Sequence, residues 1–153
     1  MLVKDLLEPD LVTVGPMDTL SQAWEAMKHA GTTGVVVVTD DGQIVGFLTD
    51  GDLIRTCMPS ETDITIYDEI MEKMDLPAVL IKNLRTTRVE YAMQTAEKVV
   101  TIDQSEPVLK ALALMYQHHL RRIPVLDGNS LVGTISRGQI LTDILLERNL
   151  RKA

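Results

Sequence analysis

The chain has 153 residues, 45% of them apolar, 3% aromatic and 24% charged, and 15 Lys and Arg against 22 Asp and Glu leave a formal net charge of −7. That length suits one body of ordinary size with a substantial aliphatic core and excludes two large domains. Scarce aromatics argue against a base-stacking surface for single-stranded nucleic acid, and the acidic balance opposes duplex binding and adsorption to a membrane surface.

A single cysteine, Cys57, forms no intramolecular disulfide and points to a reducing, cytoplasmic compartment. Residues Met1 to Asp10 carry Asp5, Glu8 and Asp10 without an apolar run, and the longest aliphatic run is Val35 to Val38, so neither a signal peptide nor a membrane-spanning helix is expected. The charge is uneven: residues 1–76 hold four basic against fifteen acidic side chains, or −11, and residues 77–153 hold eleven against seven, or +4. An anionic small ligand should favour the second half.

In chain order, Val12 to Val14 is a short β-prone run, and Leu20, Ala23, Trp24 and Met27 keep the spacing of a helix with one apolar face. Two strands, Gly34 to Thr39 and Gln43 to Leu48, flank a turn at Asp40-Asp41-Gly42, and a helix over Asp50 to Cys57 closes the block. Residues 59–88 then match nothing else. They hold a polar stretch (Pro59 to Asp63), a helix predicted over Tyr67 to Met74, and a Pro77-led apolar segment ending at Lys82, and read as a linker that packs, being too short for an independent domain.

The block then recurs. Leu20 to Met27 aligns with Val108 to Met115, and Val12-Thr13-Val14 with Val100-Thr101-Ile102, both at an offset of 88; Ile44 to Thr49 aligns with Leu131 to Ser136 at an offset of 87. The second copy has a β-prone run at Val99 to Ile102, a helix with Val108, Ala111, Leu112 and Met115 on its apolar face, and strands Ile123 to Leu126 and Ser130 to Ile135 around Asp127-Gly128-Asn129. A helix over Arg137 to Glu147 ends it. The expected organisation is a first repeat at 1–58, a helical linker at 59–88 and a second repeat at 89–153. Each repeat is βαββα in a mixed α/β (α+β-like) class; neither copy covers its own sheet, so two pseudo-symmetric repeats packed sheet to sheet are expected.

The openings Val3 to Leu7 and Val89 to Met93, the segment Arg121-Arg122-Ile123-Pro124-Val125-Leu126-Asp127 and the segment Leu131 to Arg137 give the chain a family likeness. It resembles a tandem pair of cystathionine-β-synthase-type (CBS) domains, the Bateman module, over nearly its whole length. The resemblance implies a disc with two clefts between the repeats, pairing into homodimers, and an adenosine ligand such as AMP, ADP, ATP or, less favoured, S-adenosylmethionine. Such modules sense rather than catalyse. No nucleophile elbow, His-Glu-x-x-His or Walker loop suggests an enzyme, and no covalent cofactor is expected.

Thr49-Asp50-Gly51-Asp52 and Ser136-Arg137-Gly138-Gln139 sit at equivalent strand-to-helix turns. Each reads as a capping box; each also matches, in the family, the Thr/Ser-x-x-Asp ribose signature, which Asp52 fits and the neutral Gln139 does not. His118, His119, Arg121, Arg122 and Arg137 form either a solvated rim or a phosphate site, for which arginine's planar fork of donors is suited. The adjacent histidines diverge by about 100° on a helix and make no metal pair. Val12, Val14, Thr101, Ile102 and Pro124, with Val35 to Val38, are core or cleft wall. Met58, Met71, Met74, Met93 and Met115 read as gap-fillers and Cys57 as structural. The nucleotide-binding set is therefore Thr49, Asp52, Val12, Val14, Thr101, Ile102, Arg122, Pro124, Ser136 and Arg137.

The expected function is a stand-alone regulatory module that binds an adenine nucleotide in a cleft between the repeats and passes its response to an effector protein. The alternative is a ligand-free scaffold for self-association or partner binding. A homodimer is expected through a stripe made of Leu53, Ile54, Ile140, Leu141, Ile144 and Leu145.

Overall fold

A computed structural model describes residues 1–9, 11–57 and 76–148. Strand β1 (Thr13–Val14) runs parallel to β2 (Gly34–Val38), with Thr13 opposite Val36 and Val14 opposite Val37. Parallel neighbours need a crossover, supplied here by helix α1 (Leu20–Ala30). Thr19 and Gln22 start that helix reciprocally: the Gln22 amide N–H donates to Thr19 Oγ1 (3.2 Å), and the Thr19 N–H to Gln22 Oε1 (2.8 Å). Gly31, at φ 66°, stops it. Strand β3 (Ile44–Thr49) leads into α2 (Asp50–Cys57). Helix α3 (Leu76–Thr86) packs on α1 and α2, and β4 (Gln94–Thr95) adds antiparallel to β3, giving a sheet ordered β1-β2-β3-β4.

The second repeat builds the same layer. Strand β5 (Ile102–Asp103) pairs parallel with β6 (Arg122–Asp127) across α4 (Val108–His118), and β6 pairs antiparallel with β7 (Ser130–Ser136), giving the order β5-β6-β7. Helix α5 (Arg137–Leu141) then widens into a π-helical stretch, Thr142–Arg148, where one uninterrupted α-helix was expected. The fold class is thus mixed α/β with two sheets and two repeats.

Each sheet has its own core. Around β1-β2-β3-β4, Val14, Leu20, Ala23, Met27, Val35, Val37, Leu48, Leu53, Cys57 and Val89 are buried together; around β5-β6-β7, Val3, Leu6, Ile102, Val108, Ala111, Met115, Ile123, Val125, Ile135 and Ile140 are. Consecutive burial of Val35, Val36 and Val37 marks a middle strand covered on both faces, which is why this run does not alternate with polar residues. Truncating any of the large members to alanine would cost about 2–5 kcal/mol.

The two openings are exchanged. One compact unit comprises Met1–Leu11, Asp41–Ile44 and Lys98–Ala153; the other comprises Val12–Asp40 and Val45–Glu97. In the first of these, the Val3 N–H donates to Glu106 O (2.9 Å), Lys4 N–H to Gln104 O (3.0 Å), and Met1 O accepts from Val108 N, the first residue of α4 (3.1 Å). In the other, Val89 N–H donates to Asp18 O (2.8 Å), Glu90 N–H to Pro16 O (3.0 Å), and Thr87 O accepts from Leu20 N, the first residue of α1 (2.9 Å). The same three backbone bonds are made twice, so each opening segment caps the helix of the other repeat's sequence block.

Several expectations change. Trp24 is 42% exposed, lying at the edge rather than the centre of α1's apolar face, which Leu20, Ala23 and Met27 fill. Leu53 and Ile140 are core residues and Ile144 is partly buried, so of the expected dimer stripe only Ile54, Leu141 and Leu145 are exposed. His119 is the left-handed residue that ends α4 (φ 55°), where the first repeat has Gly31. The helix expected over Tyr67 to Met74, with Met58, Met71 and Met74, lies outside the described residues. Helix α3, which the sequence suggested only as an apolar segment, carries Leu80 and Leu84 four residues apart onto the first core, with Pro77 in its opening turn where a missing N–H costs nothing.

Candidate functional site

At the β3–α2 turn the capping box is complete. The Asp52 N–H donates to Thr49 Oγ1 (3.2 Å) and the Thr49 N–H to Asp52 Oδ2 (2.9 Å). Asp52 is 2% exposed, and its second oxygen accepts from Nη1 of Arg55 (2.7 Å), whose own side chain is largely in solvent. The Asp50 N–H donates to Thr33 O (3.0 Å), fixing the turn to the residue just ahead of β2. Val14 is buried and Val12 half-buried against the same core. Among the described residues each carboxylate oxygen accepts one bond, which leaves it a further acceptor position.

The β7–α5 turn is built differently. The Gln139 N–H donates to Ser136 Oγ (3.2 Å), but the Gln139 side-chain amide turns along the helix and donates to both oxygens of Asp143 (3.2 Å each). The half of the box that Asp52 supplies in the first repeat is therefore missing here. Ser136 instead donates its hydroxyl to Glu8 Oε1 (3.1 Å), and Arg122 Nη1 donates to Glu8 Oε2 (2.8 Å) and to Thr134 Oγ1 (2.6 Å). The backbone holds Glu8 in place, with Glu8 N–H on Thr134 O (2.8 Å) and Thr134 N–H on Glu8 O (3.1 Å). Arg137 is exposed, with its N–H on Arg121 O (2.9 Å); Pro124 and Ile102 are buried in β6 and β5, and Thr101 is half-buried just before β5.

The structure thus brings Thr49, Asp52, Val12 and Val14 into one unit, and Thr101, Ile102, Arg122, Pro124, Ser136 and Arg137 into the other. The position equivalent to Glu8 is Gln94, and Thr134 and Arg122 correspond to Phe47 and Gly34. There the only phenylalanine lies so close that a Cβ on Gly34 would stand 2.9 Å from its ring. One repeat is polar and charged at this place; the other is filled by an aromatic ring. Glu8 is the residue that sequence reasoning passed over, because nothing local marks a carboxylate whose partners lie more than a hundred positions away.

Elsewhere, burial pushes the Cys57 thiol above its ordinary pKa, keeping it protonated at neutral pH. Among the described residues, no cluster of three or more His, Cys, Asp or Glu converges to hold a metal ion, and no helix is long and apolar enough to cross a membrane.

A twice-built α/β layer that places a Ser/Thr-headed strand-to-helix turn at the end of each hairpin defines a tandem-repeat α/β architecture. The profile of the CBS domain matches residues 3–58 and again residues 89–146, and the chain belongs to the CBS-domain family. It is similar to the protein YlbB of Bacillus subtilis (strain 168), 30% identical over 139 residues that cover 90% of this chain and 78% of the relative. Among solved structures it resembles the CBS domain of a CBS domain-containing membrane protein from Sphaerobacter thermophilus (TM-score 0.72, 29% identity, 96% of this chain and 90% of that one). It shares the fold of CBSX2 in complex with AMP (TM-score 0.69, 23% identity, 94% of this chain and 96% of that one).

Proposed function

We propose that the chain is a non-catalytic regulatory module that binds an adenine nucleotide of the AMP, ADP or ATP class through the Thr49–Asp52 turn. The observation that supports this most directly is the state of Asp52. Its carboxylate is buried and oriented by its own box, and beyond the box its partner among the described residues is Arg55, an exposed side chain that ribose hydroxyls can displace at small cost. The AMP held by CBSX2, which shares the fold, agrees with such a ligand. Val12 and Val14 would supply apolar wall beside this turn, and Thr101, Ile102, Pro124, Ser136 and the exposed Arg137 form the corresponding set in the second repeat.

The response would pass to a partner protein or to self-association in the cytoplasm, with Ile54, Leu141 and Leu145 as the apolar contact of a homodimer. Sedimentation at micromolar concentration tests the dimer, and a monomer there excludes it. The scaffold reading draws support from the second turn, where Gln139 and Arg122 are already occupied.

Titration calorimetry with AMP, ADP and ATP decides between them, with S-adenosylmethionine as a further ligand. Loss of a charge-assisted hydrogen bond costs about 1.5–3 kcal/mol, so Asp52→Ala should weaken nucleotide binding by roughly ten-fold or more while Gln139→Ala changes it little. Equal affinity of Asp52→Ala and the parent would leave Asp52 a helix cap only. No adenine ligand bound by the parent would leave the scaffold.

A further inference from the structure

We propose that Glu8 is a specificity-determining residue that closes the second repeat's turn to phosphate-bearing ligands. This rests on reading the strand-to-helix turns as ligand sites. Of the two arginines at this turn Arg137 is exposed and Arg122 half-buried, and both protons of Arg122 Nη1 are committed, one to Glu8 Oε2 (2.8 Å) and one to Thr134 Oγ1 (2.6 Å). The other Glu8 oxygen takes the Ser136 hydroxyl (3.1 Å), the group equivalent to Thr49 in the first repeat. A carboxylate that bridges a guanidinium and a turn hydroxyl occupies the place of a bound anion.

The pair is partly sheltered, with side chains 25% and 33% exposed, so solvent screens it less than a free surface pair. A phosphate reaching the remaining donors of Arg122 would stand beside the Glu8 carboxylate and meet its repulsion. Glu8 does not move aside easily, because its backbone is paired with Thr134 in both directions (2.8 and 3.1 Å). The sheet of the first repeat has neutral Gln94, on β4, at the equivalent position and no arginine at that of Arg122. The two repeats therefore differ in which charges they admit, and an anionic nucleotide should be held once per chain.

The probe is inorganic tripolyphosphate, which carries the charge of a nucleotide tail without ribose or base. In the unaltered protein, the NMR signals of the Arg122 guanidinium should stay unmoved as tripolyphosphate is added to millimolar concentration. Glu8→Gln keeps the shape and the backbone pairing and removes the charge, and should bind tripolyphosphate about ten-fold or more tightly than the parent. Arg122→Ala in the Glu8→Gln background should abolish that gain. Movement of the Arg122 signals in the unaltered protein would overturn the proposal, as would a Glu8→Gln variant that folds and gains nothing. If that variant fails to fold, the measurement on the unaltered protein decides alone. A parent that binds no AMP would sink the nucleotide reading of the first turn and leave this result intact, since the Arg122 signals and the Arg122→Ala control report on that side chain whatever the first turn binds.

Discussion

The carbonyl oxygen of Glu8 lies where Gly133 leaves room for it: a β-carbon at position 133 would stand 2.5 Å from that oxygen and equally close to a methyl group of Leu7. Gly46, at the equivalent place in the first repeat, faces the carbonyl of Gln94 and the Met93 thioether in the same way. These glycines are required by the close approach of a backbone, which has no flexible end to bend away. Gly133→Ala and Gly46→Ala should each lose about 1–3 kcal/mol in urea denaturation. Gly138→Ala is the control: nothing lies within 4 Å of its would-be β-carbon and it sits in a helix, so that variant should be unchanged or more stable by about 0.5–1 kcal/mol.

His119 ends α4 in the left-handed conformation, at φ 55° and ψ 43°, which costs a residue with a β-carbon about 1–2 kcal/mol relative to glycine. His119→Gly should therefore raise the melting temperature, despite the entropy that glycine adds to the unfolded chain. A lower melting temperature would show that the imidazole makes a compensating contact.

The hairpins, both capping turns and the span of α2 were legible because each rests on local chemistry. Asp-Gly turn residues, a Thr or Ser three positions before an acid or amide, and a duplicated pattern all act within a few residues. Helix α3 was less so, since Asn83, Arg85 and Lys82 dilute the spacing of Leu80 and Leu84. The exchange of the opening segments was not legible at all: Val3 to Leu7 looks the same whether it serves the repeat that follows it or the one a hundred residues on. The Glu8–Arg122 pair inherits that difficulty, because neither residue's neighbourhood in the sequence shows the other.

Asp103 ties its own turn to the β6–β7 turn, accepting from the Ser105 hydroxyl (2.6 Å) and N–H (2.9 Å) and from the N–H of Gly128 (3.2 Å). The Ser105 bonds, then that from Gly128, hold its carboxyl below the usual carboxylate range. A depressed folded-state pKa means the unfolded chain takes up the proton first. The contribution of Asp103 is therefore complete at neutral pH and is lost as pH falls below about 4 through the folded-state value. In melts taken from pH 7 down to pH 2, Asp103→Asn should lose less stability on acidification than the parent; parallel curves would show that these bonds do not distinguish the charged from the neutral acid.

The exchanged openings also set an order of events at the ribosome. Ser136, which Glu8 must meet, is made 128 residues after it. At roughly 5–20 residues per second, the first segment waits about 6–25 s with Val3 and Leu6 uncovered. Residues 12–97, by contrast, contain every strand of the first sheet and the segment that caps α1, so that layer can close while the rest is still being made. Residues 1–9 are thus among the last to find their place, and a cut in the linker would separate two fragments that each carry the other's missing edge.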